Sequence, residues 1–408
     1  MPRAIRAVVM AALVTGLVAA CTATPTPTPT PTVSTTPTGD GVLRIGTLFP
    51  ASGTLAFLAP AQVAGVNAAI RDINAAGGVN GAPVEVLNRD SGEATTQKAE
   101  ESFADLVARG VDVVIGPSSS VIAERLLVPA TEAAVPIVSP SATFPRLSEL
   151  GAGVFFRTIP AYGHQGAALA GILADRGAKT VVLVYSDDDL GTALLAAAEP
   201  AFEEAGVALT AIPSSGTAAE VAAAAKAEEP DAVVLATPDA GDSTKALITE
   251  LVKTIGGAKL WLTSQNLADY SQALPAGVLT GVNGILEGVA AGEGFRAKIR
   301  QEDPGVVDFR YAAEAYDATI LVALAAILAA DDAGRSVATT IRDASIGGIK
   351  CTSFGECVDV LKSQTDIDYD GASGSVNLDE KGDPERAPYG IYLYDAENRF
   401  AYKETVAG

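Results

Sequence analysis

Val113-Val114-Ile115-Gly116-Pro117-Ser118-Ser119-Ser120 decides how the chain is read. Three β-branched residues make a short buried strand, and a glycine, a proline and three serines end it. A helical pattern follows from Val121 through Ala133. The junction leaves backbone N–H groups and hydroxyls at a helix N-terminus, just past the carboxyl end of a strand. Such a place suits an anion, carboxylates included. The next strand-like run, Val135 to Val138, ends in a second polar turn, Ser139-Pro140-Ser141-Ala142-Thr143. Ligands of open α/β sheets sit outside the carboxyl ends of the strands, so two such turns side by side predict one shared site.

Outward from this stretch, strand-like and helix-like runs alternate. Val42–Leu48, Val84–Asn88, Thr180–Tyr185, Val207–Ile212, Ala232–Ala236 and Leu260–Thr263 read as strands. Ala61–Ala76, Thr95–Arg109, Gly163–Arg176, Leu190–Glu204, Ala218–Lys226 and Thr244–Thr254 read as helices. This rhythm predicts an α/β fold with doubly wound parallel sheets, and its restart after Arg157 predicts two lobes. From about Glu287 helices dominate, including Tyr311–Ala330. The tail carries strand-like Ser375–Leu378 and Tyr389–Tyr394 around the turn Asp379–Asp383.

The 408 residues allow two domains with cores of their own. A net charge of −21 argues against a nucleic-acid partner and against docking on anionic lipid by charge. Residues 1–20 read as an export signal: Arg3 and Arg6 precede the apolar run Ala7–Ala19, which is too short to span a bilayer comfortably. Val18-Ala19-Ala20-Cys21 resembles the lipobox of bacterial lipoproteins, which implies cleavage before Cys21 and a lipid on that cysteine; an ordinary signal peptide is the alternative. Residues 21–41 are a Thr-Pro-rich stalk that cannot pack a core. Cys351 and Cys357, six apart in an exported chain, are most simply a disulfide; a metal is the rival, with one histidine (His164) and no CxxC to support it.

Hydrolase chemistry finds little support. There is no G-x-S-x-G elbow, no Walker loop and no G-x-G-x-x-G after a strand. His164 reads as a polar residue at a helix start, and Asp187–Asp189 and Asp331-Asp332 read as solvated loop charges. Small polar turns at successive strand ends remain, which bind without an evident catalytic group. No enzyme activity, cofactor or metal is expected.

Leu48-Phe49-Pro50-x-Ser52-Gly53 and Asp72-Ile73-Asn74-Ala75-Ala76-Gly77-Gly78 resemble the branched-chain amino-acid type of ABC-transporter solute-binding proteins. So do Ser139–Thr143, Phe156-Arg157-Thr158 and Tyr369-Asp370-Gly371-Ala372-Ser373-Gly374, over about residues 42–402. Pattern alone reads as two continuous domains. The resemblance implies instead a type I periplasmic-binding-protein fold with a hinge of three crossovers. Lobe one is then residues 42–160 plus 288–386, and lobe two 161–287 plus 387–408. It implies that Ser120, Ser141 and Thr143 hold a ligand carboxylate on lobe one, with Phe57 or Leu58 and Tyr311 forming side-chain pockets. Lobe two departs from the family: Leu190 stands where a tyrosine is usual, and Ser264-Gln265 where a glutamate takes the ammonium. Asp239 is the candidate replacement anion and Gln265 a candidate contact.

The expected function is capture of an amino acid or another small polar or carboxylate-bearing solute, delivered to ABC permease subunits. The protein would be a monomer at the outer face of the cell membrane, held there by its lipid anchor only. A ligand-binding sensor or receptor accessory on the same fold is the alternative.

Overall fold

The computed structural model describes residues 39–407. The expected export segment, Cys21 and the Thr-Pro run up to residue 38 lie outside them. Fifteen strands are numbered in chain order: β1 (Arg44–Phe49), β2 (Glu85–Asp90), β3 (Val113–Ile115), β4 (Ile137–Ser139), β5 (Phe155–Arg157), β6 (Thr180–Tyr185), β7 (Ala208–Pro213), β8 (Ala232–Ala236), β9 (Leu260–Leu262), β10 (Asn283–Glu287), β11 (Ile349–Cys351), β12 (Ile367–Gly371), β13 (Gly374–Ser375), β14 (Tyr389–Tyr394) and β15 (Phe400–Val406).

The first sheet has the order β2-β1-β3-β4-β5 and is wholly parallel. Its side chains alternate between two cores, as the pleat requires. Val113 and Ile115 point to the core shared with helices Ala59–Ala75 and Ala312–Ala329, while Val114 points to the core under helices Lys98–Ala108 and Ser120–Ala133. The helix Ala312–Ala329 is long and apolar enough to cross a membrane by composition, but it is the buried spine of this lobe. Small residues let it approach its neighbour closely. A Cβ on Gly65 would come within 2.3 Å of the Ala312 carbonyl.

The second sheet has the order β15-β14-β10-β9-β8-β6-β7. β6 to β10 run parallel, and β14 and β15 close one edge antiparallel. Val181 and Leu183 share a core with helices His164–Asp175 and Asp189–Glu204; Val182 and Val184 share one with helices Ala218–Ala227 and Asp242–Ile255. The one tryptophan, Trp261, begins the middle of β9 with the Arg176 guanidinium 4.7 Å over its ring. A small sheet, β11-β12-β13, lies against the first lobe, where the Cys351–Cys357 disulfide ties β11 to helix Phe354–Leu361.

This is the two-lobed α/β arrangement of the type I periplasmic-binding-protein fold. The chain passes between the sheets after β5, after β10 and before β14. Three local expectations are corrected. Ser375–Leu378 is not a strand of that length: β13 is two residues, followed by an isolated bridge between Leu378 and Pro384. The strand-like runs read from sequence also leave out β5, β10, β11, β12 and β15; Gly284 interrupts β10, and β15 is a polar edge strand, Phe400-Ala401-Tyr402-Lys403-Glu404-Thr405-Val406. Asp331 and Asp332 are buried rather than solvated, because they accept N–H bonds from Gly39 and Gly41 at the entry to the body.

Candidate functional site

The opening stretch folds as its residues demand. Gly116 sits at φ +110°, and a Cβ there would lie 2.5 Å from the Leu48 carbonyl oxygen, so only glycine lets β3 turn beside β1. Ser119 then caps the helix Ser120–Ala133 by accepting the Ile122 N–H at 3.4 Å. Hydroxyls staple this turn to the one after β4. Ser139 Oγ donates to the Pro117 carbonyl at 2.7 Å and accepts the Ala142 N–H at 2.9 Å. Ser120 Oγ accepts the N–H groups of Thr143 and Phe144 at 2.9 and 3.2 Å. With its lone pairs engaged, the Ser120 hydroxyl keeps its proton for an external acceptor.

Beneath the turns lies a buried polar knot. Gln62 Nε2 donates to Ser141 Oγ at 2.8 Å, and Ser118 Oγ donates to Gln62 Oε1 at 2.5 Å. From the far side, fully buried Arg157 donates to the carbonyls of Ala142 and Phe144 at 3.2 and 3.1 Å. Arg157 is itself held by both oxygens of Asp383, at 2.6 and 2.8 Å. The Ser141–Thr143 turn is therefore fixed by charge-assisted bonds before any ligand arrives.

The two turns wall a cavity of about 250 Å³ between the lobes. Lobe one contributes Leu55, Leu58, Ser118–Val121, Ser141, Thr143 and Tyr311; lobe two contributes Ser264, Gln265 and Glu287. Six of the residues singled out from sequence meet there: Ser120, Ser141, Thr143, Leu58, Gln265 and Tyr311. Three do not. Phe57 is half exposed, with its ring under the Arg310 guanidinium at 4.8 Å. Leu190 lies in an adjoining recess with Phe144, Arg146 and Asp188, because Asp188 caps the helix Asp189–Glu204 and turns it that way. Asp239 is exposed and accepts the Gly241 N–H at 2.7 Å, so it shapes its own loop. His164 opens a helix half-buried and does not line the cavity.

The residue that sequence reasoning missed is Glu287, the last of β10. It is 2% exposed. Its Oε1 accepts bonds from Gln165 Nε2 and, at 3.0 Å, from Ser264 Oγ. Its Oε2 is buried without a hydrogen-bond partner among the described residues. Gln165 also accepts the Ser264 N–H at 3.1 Å, which locks the carboxylate in place. Burial pushes the Glu287 carboxyl up to about 7, against the pull of Ser264 and Gln165. Burial also raises the nearby Tyr311 phenol, and the Glu287 carboxylate adds to that shift. Glu287 lines the cavity, and a buried carboxylate oxygen left without a partner is costly unless a cation or donor meets it.

An interlobe cavity with hydroxyls on one wall and a carboxylate on the other defines a solute-binding protein of the two-lobed α/β class. The chain belongs to the periplasmic binding protein family, whose model matches residues 42–359. It is similar to the chemotactic signal transduction system substrate-binding protein BasB of Halobacterium salinarum, at 30% identity over 82% of this chain and 83% of that protein. It is also similar to the leucine-, isoleucine-, valine-, threonine- and alanine-binding protein of Pseudomonas aeruginosa, at 30% identity over 40% of this chain and 44% of that protein. Among solved structures, an ABC transporter substrate-binding protein from Desulfitobacterium hafniense in complex with leucine shares the fold, with a TM-score of 0.66 at 21% identity, covering 89% of this chain and all of the other.

Proposed function

We propose that this chain is an exported solute-binding protein that captures a small zwitterion, a solute with a carboxylate and a protonated amine, between its two lobes. The carboxylate is held by Ser120 and Thr143 on lobe one and the amine by Glu287 on lobe two. The observation that carries this reading is that Glu287, with one carboxylate oxygen unpartnered among the described residues, lines the same cavity as Ser120 and Thr143. Ser141 serves beneath as support, since its hydroxyl is engaged by Gln62 and Ser118. The lobes comprise residues 42–160 with 288–386, and 161–287 with 387–408. Cys21 carries a lipid, the Thr-Pro stalk spaces a monomeric body from the outer face of the membrane, and ABC permease subunits receive the solute.

A thermal-shift panel of amino acids, amides, small carboxylates and amines tests this on protein freed of co-purified solute. Compounds with both charges stabilise the fold, and those lacking either group do so less. No shift from any of them would count against the proposal. Thr143→Val and Ser120→Ala each weaken binding by about 1–3 kcal/mol, measured by calorimetry, because a charge-assisted bond is lost. Unchanged affinity in both, with the melting temperature kept, refutes the placement of the carboxylate.

A sensory role is favoured by one observation, the similarity to a substrate-binding protein of a chemotactic system over most of the chain. Co-purification with permease subunits or with a membrane signal transducer separates the two fates of the captured solute.

A further inference from the structure

A second cavity, of about 410 Å³, lies beside the chain's second crossing between the lobes and shares no lining residue with the first. Its walls come from both lobes. Arg296 and Arg300 project from helix Glu293–Glu302, Arg310 from the loop before the long helix, and Tyr392 and Tyr402 from β14 and β15. In a chain of net charge −21, three guanidiniums here face a single lining carboxylate, Asp308.

That carboxylate is already taken. Arg310 grips both of its oxygens, at 2.5 to 3.1 Å. Arg300 has a 3.4 Å link to Glu293, whose side chain is 80% exposed, so water competes for it. Arg296 has no ion pair among the described residues, and its Nε is buried with no hydrogen-bond partner. Both Arg296 and Arg300 place their guanidiniums over the Phe309 ring, at 5.4 and 4.9 Å, cation–π contacts that do not use up their N–H donors. Part of the lining is aromatic: Tyr392 meets Phe400 and Tyr402 edge to face at 5.5 and 5.9 Å.

We propose that this cavity is a binding site for a small aromatic carboxylate. The carboxylate accepts from Arg296 and Arg300, and the ring lies against Tyr392 and Tyr402. Planar guanidiniums suit a carboxylate, and the aromatic wall selects for a flat apolar body that an inorganic anion lacks. An occupant would touch both lobes beside a crossing segment, and so act on their relative position from outside the solute cavity.

The probe is benzoate, titrated calorimetrically into the full chain at low salt, with inorganic phosphate as competitor. Ser120→Ala/Thr143→Val serves as the control for binding in the first cavity. Wild type binds benzoate, Arg296→Met weakens that binding about tenfold or more, and the control variant changes it less than about twofold. Phosphate does not displace it. The proposal is overturned if wild type takes up no benzoate, if the loss follows the control variant instead of Arg296→Met, or if phosphate competes equally. Should Arg296→Met fail to fold, Tyr402→Ala on the exposed edge strand decides: benzoate affinity unchanged there also overturns it.

Discussion

Arg157→Leu lowers the stability of the protein by about 3–5 kcal/mol, the cost of breaking a buried ion pair from one side. The guanidinium is fully buried and serves five acceptors: both Asp383 oxygens, Ser148 Oγ at 2.6 Å, and the carbonyls of Ala142 and Phe144. Its removal leaves Asp383 as an uncompensated charge, with Ser148 Oγ, at 2.5 Å, the one side-chain donor among the described residues still bonded to it. Arg157→Lys restores the charge but not the fork, so it recovers less than half of the loss. Arg157→Leu/Asp383→Leu is more stable than Arg157→Leu alone, because no unpaired charge remains. Urea midpoints measure all three. A wild-type midpoint for Arg157→Leu would mean that the turn holds its shape without the arginine. Because the same side chain anchors the Ser141–Thr143 turn, solute affinity falls with stability, and a variant that loses one without the other contradicts the linkage.

The second large effect belongs to Glu287. Glu287→Gln reduces affinity for an amine-bearing solute about a hundredfold or more, since one partner of a desolvated charge pair is lost. The pH dependence has a definite sign. The carboxyl is pushed from an ordinary 4.5 up to about 7 by burial. Between those values the folded protein keeps a proton that the unfolded chain releases, so the contribution of Glu287 to stability falls as pH rises through this window. Affinity for a cation moves the other way, rising from pH 5 to pH 8 as the carboxylate forms. Calorimetry at pH 5, 6 and 8 reads the second slope and denaturant midpoints the first; both flatten in Glu287→Gln. Equal affinities at pH 5 and 8 in wild type would remove the amine from the proposal.

What could be read from residues alone divides along a physical line. Alternating apolar runs and glycine stops located most strands and helices within a few residues, and the Ser118–Ser120 and Ser141–Thr143 turns were legible because hydroxyls at strand ends advertise themselves. Glu287 was not legible. It ends Asn283-Gly284-Ile285-Leu286-Glu287, where the glycine blurs the strand and a glutamate reads as the first solvated residue after it. Only the packing of Gln165 and Ser264, distant in sequence, makes it a buried charge.

Two of the motifs that carried the family resemblance, Asp72–Gly78 and Tyr369–Gly374, are scaffold. Asn74 pairs with both the N–H and the carbonyl of Val84, fixing the end of its helix to the entry of β2. Asp72 receives Lys298 and Tyr316 at 2.6 and 2.7 Å. The Tyr369–Gly374 run wraps fully buried Asp317, which accepts from the Tyr369 hydroxyl and the N–H groups of Ala372 and Ser373. Gly371 is required there because a Cβ would come within 2.2 Å of the same carboxylate. None of these residues lines the solute cavity. Of the motifs behind the resemblance, Ser139–Thr143 reaches the cavity through Ser141 and Thr143, while Asp72–Gly78 and Tyr369–Gly374 build the frame.

The position of the one tryptophan bears on how solute capture can be watched by light. Trp261 is enclosed under Arg176, and Ser264, at the cavity, lies three residues further along the chain, about 10 Å away at strand spacing. A captured solute does not touch the indole. Any change in its emission would come from strain carried through β9 or from a shift of the guanidinium above it, making the native fluorophore an indicator of lobe distortion and silent to occupancy itself.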